Sequence, residues 1–307
     1  VAKYVAKAKD MMVAALSDAS LGRAKIRYGT KLAGITNVGG KVFKASIAIT
    51  GQQNAIWQEG VPDTRTLVPP SEIHFGLRGR THRLEHTKIE KTTATTRIAA
   101  IAEIESASDP RCFYDVAASE ILFSVANGTN ALTANIYVPI TGGSQTLFTG
   151  RTSLYLPPAT KIRLVGLDLL YGSINNIGAS LATDIDDCRV IGTAANAYDL
   201  AANISLKNCE AAGYGSGTTS NGDGFNFHNY AIVDHKYLYM HDGYDDGISS
   251  HENCFETGYG AVSEYNGGGG YTPAYGSQAK YGSCLSRKNN GVTSRFNTGK
   301  AFGFECH

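Results

Sequence analysis

The sequence predicts an all-β protein, a right-handed parallel β-helix with a capping helix at its N-terminus. Three observations support this: a segment pattern that recurs every 21–23 residues in the second half of the chain, a high glycine content (35 of 307 residues), and an excess of tyrosine (17) over phenylalanine (11). A fixed period in the low twenties, with one strand and polar turns per period, is typical of a solenoid in which each repeat forms one coil.

The first 40 residues are predicted to form a cap, made of a helix and a first strand. Apolar residues recur at helical spacing across residues 4–19, namely Val5, Ala8, Met12, Ala15 and Leu16. Such spacing predicts an amphipathic helix, which Gly22 ends. Residues 24–30 alternate like a strand. A helix and strand placed here can cover the end of a stack of coils, which would otherwise expose unpaired backbone.

Residues 41–160 are predicted to form β-rich N-terminal coils. Strand-like runs occupy residues 42–50, 98–104 and 134–138, with glycine and proline turn signals between them. A basic stretch at residues 78–91 alternates in strand fashion, which predicts one solvated strand face and not a polyanion site.

Residues 161–307 are predicted to form the regular coils, because a four-residue segment recurs there. Residues 223–226 (Asp-Gly-Phe-Asn) are echoed 23 residues later by residues 246–249 (Asp-Gly-Ile-Ser), and again at 269–272 and 290–293. In each copy the glycine is expected to turn the chain. The large apolar residue after it is expected to enter the bore: Phe225, Ile248, Tyr271 and Val292. The next, small polar residue is expected to face outwards: Asn226, Ser249, Thr272 and Thr293.

Composition excludes several classes of function. Lys and Arg (28) almost balance Asp and Glu (27), so the chain lacks the basic excess of a general nucleic-acid binder. No apolar run approaches the roughly 20 residues that a membrane span needs, and no signal peptide is visible. We therefore expect neither nucleic acid nor a membrane as a partner. Cys188 and Cys209, 21 residues apart, are interpreted as buried thiols one repeat apart and not as a disulfide.

Successive coils are expected to bring acidic residues together. Equivalent residues in neighbouring coils lie about 4.8 Å apart, so Asp223 is expected over Asp246, with Asp245 beside it. His228 is likewise expected over His251. Carboxylates this close cannot all ionise easily, so at least one pKa should be raised. A protonated acid beside an ionised carboxylate is what hydrolysis of a glycosidic bond requires.

Two interpretations without glycosidic hydrolysis apply to the same residues. Asp-Gly pairs form turns in many proteins without any chemistry. Stacked Asp and His side chains could also hold a cation, but a third clear ligand is missing. We therefore expect no metal and no cofactor.

Two of these segments resemble the polygalacturonase-type glycoside hydrolases, which are right-handed parallel β-helices of the pectin-lyase-like superfamily. Residues 221–225 (Asn-Gly-Asp-Gly-Phe) are similar to that family's Asn-Thr-Asp-Gly-Phe signature, and residues 245–249 (Asp-Asp-Gly-Ile-Ser) to its Asp-Asp-Cys-Ile-Ser signature. The resemblance implies Asp246 as the general acid, with Asp223 and Asp245 activating water in an inverting mechanism.

Two further motifs of that family are altered. Its Gly-His-Gly falls near residues 266–270, where glycine is present and the histidine is absent. Its Arg-x-Lys has only a loose counterpart, which includes Arg295. His228, His251 and Glu252 are therefore candidates to support the acid.

Aromatic residues favour a carbohydrate surface. Twelve of the 17 tyrosines lie between residues 171 and 281. A phenol offers an apolar face to a sugar ring and a hydroxyl to its edge. Tyr244 is the strongest candidate for a cleft, and Asn226, Ser249 and Arg295 complete the predicted substrate-binding set.

The whole-chain pattern resembles viral tailspike proteins, which implies a homotrimer on a virion tail that binds and cleaves bacterial surface polysaccharide outside the cell. The leading prediction is a glycoside hydrolase. One alternative is a lyase or epimerase acting on uronic acid sugars; the other is a non-catalytic glycan-binding or structural spike. Residues 161–307, with 10 basic and 15 acidic side chains, count against a polyanionic substrate.

Overall fold

The structure is a computed structural model that describes residues 2–6, 10–15, 24–48, 55–60, 86–139, 146–147, 161–175, 182–193, 195–215, 222–287, 289 and 300–302. In the first half the elements are β1 (Ala2–Ala6), β2 (Asp10–Ala15), β3 (Ala24–Arg27), β4 (Thr30–Lys31), β5 (Thr36–Gly39), β6 (Val42–Ser46), β7 (Ala55–Glu59), β8 (His86–Lys91), α1 (Arg97–Ser106), β9 (Arg111–Asp115), β10 (Glu120–Phe123), β11 (Asn135–Val138) and β12 (Thr146–Leu147). In the second half they are β13 (Lys161–Val165), β14 (Leu167–Leu170), β15 (Ser173–Asn175), β16 (Ala182–Asp186), β17 (Arg189–Ile191), β18 (Tyr198–Lys207), β19 (Glu210–Ala212), β20 (Phe225–Lys236), β21 (Tyr239–His241), β22 (Ile248–Ser250), β23 (Phe255–Tyr259), β24 (Val262–Glu264), β25 (Tyr271–Pro273), β26 (Gln278–Gly282), β27 (Leu285–Arg287) and β28 (Lys300–Phe302).

The second half of the chain winds into a parallel β-solenoid of about seven turns. One wall is a seven-stranded parallel sheet in the order β3-β14-β17-β19-β21-β24-β27. The other is a thirteen-stranded sheet whose main path runs β13-β16-β18-β20-β23-β26-β28. Because neighbouring coils stack in register, they bury one continuous core. The predicted parallel solenoid is confirmed.

The register of the coils matches the predicted repeat. Phe225 of β20 pairs with Ile248 of β22, which pairs with Tyr271 of β25. All three side chains are fully buried in the core, as alternation along a strand predicts. The fourth predicted member, Val292, lies outside the described residues.

The small polar residue that follows in each coil is buried, although we predicted an exposed position. Asn226 is 1% exposed and Ser249 is 2% exposed. The turn after β22 covers Ser249, because Nε2 of His251 lies 2.7 Å from its Oγ. The expectation of an exposed polar face was wrong at Ser249 because a side chain from the turn folds back over β22, a strand of only three residues.

The predicted N-terminal helix is wrong for the residues that the structure describes. β1 and β2 pair antiparallel, and β2 pairs in parallel with β13, so this segment adds a rung at the end of the long sheet. An unpaired edge offers a row of backbone donors and acceptors, and pairing with it overrides the helical preference of a short segment. The rest of residues 4–19 lies outside the described part of the chain. The strand predicted at residues 24–30 is present as β3, which pairs with β14.

Residues 30–138 contain a separate eight-stranded sheet outside the solenoid, called the second sheet below. Coils were predicted for residues 41–160. The order of the second sheet is β4-β11-β7-β8-β9-β10-β6-β5, and its neighbours are antiparallel except β8 with β9. A short turn between β9 and β10 returns the chain directly, which favours antiparallel pairing. The domain boundaries at residues 40 and 160 stay a prediction.

Residues 98–104, which we predicted as a strand, lie in α1. Thr96 caps this helix, because its side chain accepts a hydrogen bond from Ala99 N–H at 3.3 Å. Ala100 and Ile104, four residues apart, are buried against the second sheet. The strand prediction was wrong because a short run of alanine and isoleucine satisfies the patterns of both structures.

The second sheet rests on the solenoid through β7. Trp57 is 1% exposed and packs against the last residues of three strands of the seven-stranded sheet: Leu170, Ile191 and Ala212. Gly213 makes room for the indole, because a Cβ there would overlap the ring. At the edge of this contact, Glu59 accepts a hydrogen bond from Tyr171 at 3.0 Å and pairs with Arg27 at 2.9 Å. These contacts hold β8, the neighbour of β7, beside the solenoid.

The described cysteines are free and buried, namely Cys112, Cys188, Cys209, Cys254 and Cys284. Cys188 and Cys209 occupy equivalent positions in neighbouring coils, because the residues that follow them pair. Their interpretation as stacked thiols is confirmed. No helix in the described part of the chain has the length and apolar character needed to cross a bilayer.

Candidate active site

Three aspartates converge where the chain enters two neighbouring coils. Asp223 precedes β20, and Asp245 and Asp246 precede β22, the strand paired with it. One carboxylate oxygen from each aspartate lies within 4.8 Å of the chosen oxygens of the other two. The predicted juxtaposition of these residues is confirmed. Their catalytic roles stay a prediction.

A ladder of side-chain to backbone hydrogen bonds runs through this cluster. Asp223 N–H donates to Asn196 Oδ1 at 2.9 Å, and Asp246 N–H donates to Asp223 Oδ1 at 3.2 Å. Gly269 N–H donates in turn to Asp246 Oδ1. Each of these side chains therefore holds a turn of the next coil. This is the structural role of Asp-Gly turns that the sequence also allowed.

The pKa of Asp223 is raised well above its ordinary value of 3.8. Burial is the largest cause, because it disfavours the charged form, and the nearby carboxylates of Asp246 and Asp245 add to it. This agrees with the expectation that three stacked acids cannot all ionise. The cluster therefore favours a protonated carboxyl beside two other carboxyl groups.

A cavity of about 500 Å³ gives access to the cluster through Asp245. Asp223 and Asp246 are 5% and 9% exposed. Tyr244 and Tyr265 also line the cavity, and Tyr244 is 47% exposed. Tyr244, which we predicted in a cleft, lines this cavity, and its role in substrate binding stays a prediction. Of the three aspartates, Asp245 is the one that a bound molecule would contact.

The opposite wall of the cavity comes from β8 of the second sheet. Lys88 and Glu90 line it, with Lys88 Nζ 3.4 Å from Glu90 Oε1. We predicted a solvated strand face for this basic stretch, and Lys88 instead borders the cavity. Nothing in the residue spacing connects β8 with the turn at 242–247, so sequence reasoning missed Lys88 and Glu90 as part of this cavity.

Two glycines near the cluster are required by space and not by turn geometry. A Cβ on Gly224 would lie 2.6 Å from the carbonyl oxygen of Gly247. A Cβ on Gly268 would overlap the carboxylates of Asp245 and Asp246. Neither Gly224 nor Gly268 has a left-handed backbone. Glycine is required at these positions because neighbouring coils approach closely, and not because the chain turns there as predicted for Gly224.

Tyr214 and two asparagines hold the turn that carries Asp245. The Tyr214 hydroxyl donates to Asn266 Oδ1 at 2.7 Å, and Gly243 N–H donates to the same oxygen at 2.9 Å. Asn266 N–H donates to Asn289 Oδ1 at 2.9 Å. The turn is therefore anchored to two further coils, which keeps the acidic cluster in a defined position.

The two histidines expected to stack do so, in a cluster of their own. The His228 and His251 ring centroids lie 5.2 Å apart, and His228 lies 3.4 Å from both Asp199 and Glu252. Burial lowers the pKa of His228, but these carboxylates outweigh it and raise the pKa above 6.5. Burial and the neighbouring His228 lower the pKa of His251. The supporting role of His228, His251 and Glu252 stays a prediction.

The remaining predicted substrate-binding residues are not at the cavity. Asn226 and Ser249 are buried, so a bound molecule would not reach them in this structure. Arg295 lies outside the described residues.

The three aspartates are also the described residues best placed to hold a cation. Carboxylate oxygens at this spacing suit a hard divalent ion. However, one oxygen of Asp223 and one of Asp246 already accept backbone N–H groups. The raised pKa of Asp223 also favours its neutral form, which is a poor metal ligand.

Comparisons with known proteins do not assign a function to this site. No family model and no curated protein matches the sequence. One similar solved structure is described as "The complex structure of XylC with xylose", with 10% identity over 90% of this chain and a TM-score of 0.36. The chain spans 53% of that protein's length. Another is described as "Glycoside hydrolase", with 8% identity over 91% of this chain and 83% of that one, and a TM-score of 0.33.

The class of this protein therefore follows from its own fold and site. It is a parallel β-solenoid with an antiparallel sheet packed against one wall. A cleft between the two exposes one member of a three-aspartate cluster.

Proposed function

We propose that this protein is a glycoside hydrolase that cleaves a polysaccharide in the cleft beside Asp245. The proposal rests on the close approach of Asp223, Asp245 and Asp246 at the edge of a cavity. One carboxylate oxygen of each residue lies within 4.8 Å of one oxygen of each of the other two. Glycosidic hydrolysis needs a proton donor and a carboxylate in one site. A cluster in which burial favours a protonated Asp223 supplies both.

In the proposed reaction, a carboxyl of the cluster donates its proton to the glycosidic oxygen as the C–O bond breaks. A carboxylate of the cluster stabilises the positive charge that develops at the anomeric carbon, water adds to that carbon, and the proton lost by the water returns to the cluster. Asp245 is the group placed to contact the sugar. Asp223 and Asp246 act from behind it, by holding the proton that the three groups share.

The tyrosines support a sugar ligand. Tyr244 and Tyr265 line the same cavity as Asp245. An aromatic ring covers the apolar face of a sugar, and the phenol bonds its hydroxyl groups. An active site with this lining suits a polysaccharide better than a small charged metabolite.

The finer proposal is a tailspike-type depolymerase, a homotrimer on a virion tail that acts on bacterial surface polysaccharide. The resemblance in whole-chain composition supports it. An apolar surface on the outer face of β20 and β23 is consistent with assembly, because Ile232 is 60% exposed and its partner Phe255 is 52% exposed.

The test is a screen of purified bacterial capsular and O-antigen polysaccharides for loss of chain length. On a polysaccharide that is cleaved, Asp245→Asn should lower the rate at least about 100-fold, as expected for loss of an acid–base group. Asp234→Asn is the matched control, because Asp234 is exposed on the outer face of β20. Equal rates for wild type and Asp245→Asn would overturn the proposal. Products with new near-ultraviolet absorbance would indicate a lyase.

A second candidate is a glycan-binding protein without catalysis. The ladder through Asn196, Asp223 and Asp246 favours it, because two of the three acids already have a structural role. Calorimetry that records binding of a polysaccharide without any shortening over days would decide for this candidate.

A further inference from the structure

The second sheet places a charged pair in a fixed position across the cleft. Lys88 is the cross-strand partner of Trp57, and Trp57 is buried against the solenoid. Lys88 and Glu90 lie two residues apart on β8, so they share a face, and both line the cavity that Asp245 faces. Because β7 is packed against the solenoid, the pair cannot move away from the cleft without disturbing that contact.

Lys88 is held in place by an ion pair with Glu90, a partner that it shares with Arg111. Its Nζ lies 3.4 Å from Glu90 Oε1, and Glu90 Oε2 lies 2.8 Å from Arg111. Burial raises the pKa of Glu90, but the charges of Lys88 and Arg111 outweigh it and leave the pKa lowered. Glu90 is therefore ionised at neutral pH and holds the Lys88 ammonium.

The solenoid wall of the cavity is acidic. It contributes Asp245, together with Asp242, whose buried carboxylate lies 2.8 Å from His241 Nδ1. Among the described residues that line the cavity, Lys88 is the one cation, and Asp245 and Glu90 are the carboxylates that are not buried. A sugar that carries a carboxylate would approach Asp245 and Glu90 and would compete with Glu90 for Lys88, and the close approach of like charges disfavours binding.

We propose, building on the proposed function, that the cleft selects an uncharged segment of polysaccharide and that the Lys88–Glu90 pair is the specificity determinant that excludes uronic acids. The ammonium and the carboxylate bond sugar hydroxyls from one wall, while Tyr244 and Tyr265 cover the apolar faces of the sugar. This substrate class differs from the uronic acid sugars of the lyase or epimerase alternative. It also excludes the lyase reaction, which needs a uronate.

The experiment compares uronate-containing bacterial polysaccharides with the same polymers after chemical reduction of their carboxyl groups. This reduction leaves the linkages intact and converts each charged carboxyl group into an uncharged primary alcohol. Isothermal titration calorimetry with the wild-type chain should give at least tenfold tighter binding to the reduced form. Equal or tighter binding to the acidic form overturns the inference.

Two variants test the pair itself. Glu90→Gln releases Lys88 and Arg111 from their carboxylate, so binding of the acidic polymer should tighten about tenfold. Lys88→Met should not produce this gain. Glu120→Gln is the matched control, because Glu120 is also ion-paired in the second sheet, with Lys44 at 2.6 Å. If Glu90→Gln leaves the preference unchanged, the pair is not the determinant and the inference fails.

The outcomes separate this inference from the function on which it rests. Cleavage of acidic polymers with a preference for the charged form would leave the hydrolase proposal in place and overturn the substrate class. Failure of every polymer, acidic or reduced, to bind would overturn both.

Discussion

The carboxylate of Asp223 accepts a hydrogen bond from the backbone N–H of Asp246, one coil further along the solenoid, at 3.2 Å. The same carboxylate belongs to the cluster that faces the cleft through Asp245. One side chain thus holds a turn with one oxygen and takes part in the acidic cluster. Substitutions can separate these two roles, because asparagine keeps the acceptor and removes the acid.

Asp223→Asn is expected to keep the fold and lose activity. Asn196 occupies the preceding rung of the ladder and accepts a backbone N–H at 2.9 Å, so asparagine suits this position. Hydrolysis should fall at least tenfold, because the proton that the cluster shares is gone. The rate on a polysaccharide that the wild type cleaves measures this, and a wild-type rate would contradict it.

The same variant should change the pH dependence of stability. The folded-state pKa of Asp223 is raised above its ordinary value of 3.8. The group therefore contributes stability that is fully present below pH 3.8 and is lost as the pH rises through the folded-state pKa. Urea unfolding at a series of pH values should show a smaller decline for Asp223→Asn than for wild type. Asp234→Asn should keep the wild-type decline.

Gly268→Ala should disturb the acidic cluster, because a Cβ there would meet both carboxylates and the backbone carbonyl carbon of Asp245 at 2.8 Å. The added methyl would overlap the carboxylates of Asp245 and Asp246, which must then move. We expect at least a tenfold loss of rate, since a displacement of about 1 Å in a catalytic group has effects of that size or larger. Gly282→Ala is the control, because its Cβ would lie 3.2 Å from the movable side chain of Tyr259. Equal rates for the two variants would argue against a catalytic cluster.

His241 should make stability depend on pH above neutrality. It is 1% exposed, with Nδ1 2.8 Å from Asp242 and Nε2 3.1 Å from Glu210. Burial lowers its pKa, but the two carboxylates outweigh it and raise the pKa to about 9. Its contribution is fully present below pH 6.5 and is lost as the pH rises through about 9.

Urea unfolding between pH 6.5 and pH 9 checks this prediction. The free energy of unfolding should decline for wild type and stay flatter for His241→Gln. His251→Gln should keep the decline, because the pKa of His251 is lowered and its titration lies below this range. A flat profile for the wild type would show that His241 does not titrate there.

Tyr244→Ala should weaken polysaccharide binding by about tenfold, equivalent to about 1.4 kcal/mol. Tyr244 lines the cavity and is 47% exposed, so it can cover a sugar ring without prior rearrangement. Tyr230→Ala is the matched control, because Tyr230 is 71% exposed within β20 and is not among the residues that line the cavity. Calorimetry on one polysaccharide compares the two, and equal losses would remove Tyr244 from the site.

The sequence by itself determined the solenoid, its register and the acidic cluster. The spacing of Phe225, Ile248 and Tyr271 predicted three stacked core positions, and the same spacing brought Asp223 to Asp246. In a solenoid each residue's neighbours in the next coils lie one period away in the chain, so a repeat read along the sequence gives contacts in space.

Only the tertiary structure decided what lies against the solenoid. β2 became a strand because it could pair with the exposed edge of β13. Lys88 lies in the cleft because its cross-strand partner Trp57 packs against the seven-stranded sheet. These contacts join segments that are distant in sequence and share no period, so their pairing depends on packing and edge complementarity and leaves no mark in residue spacing.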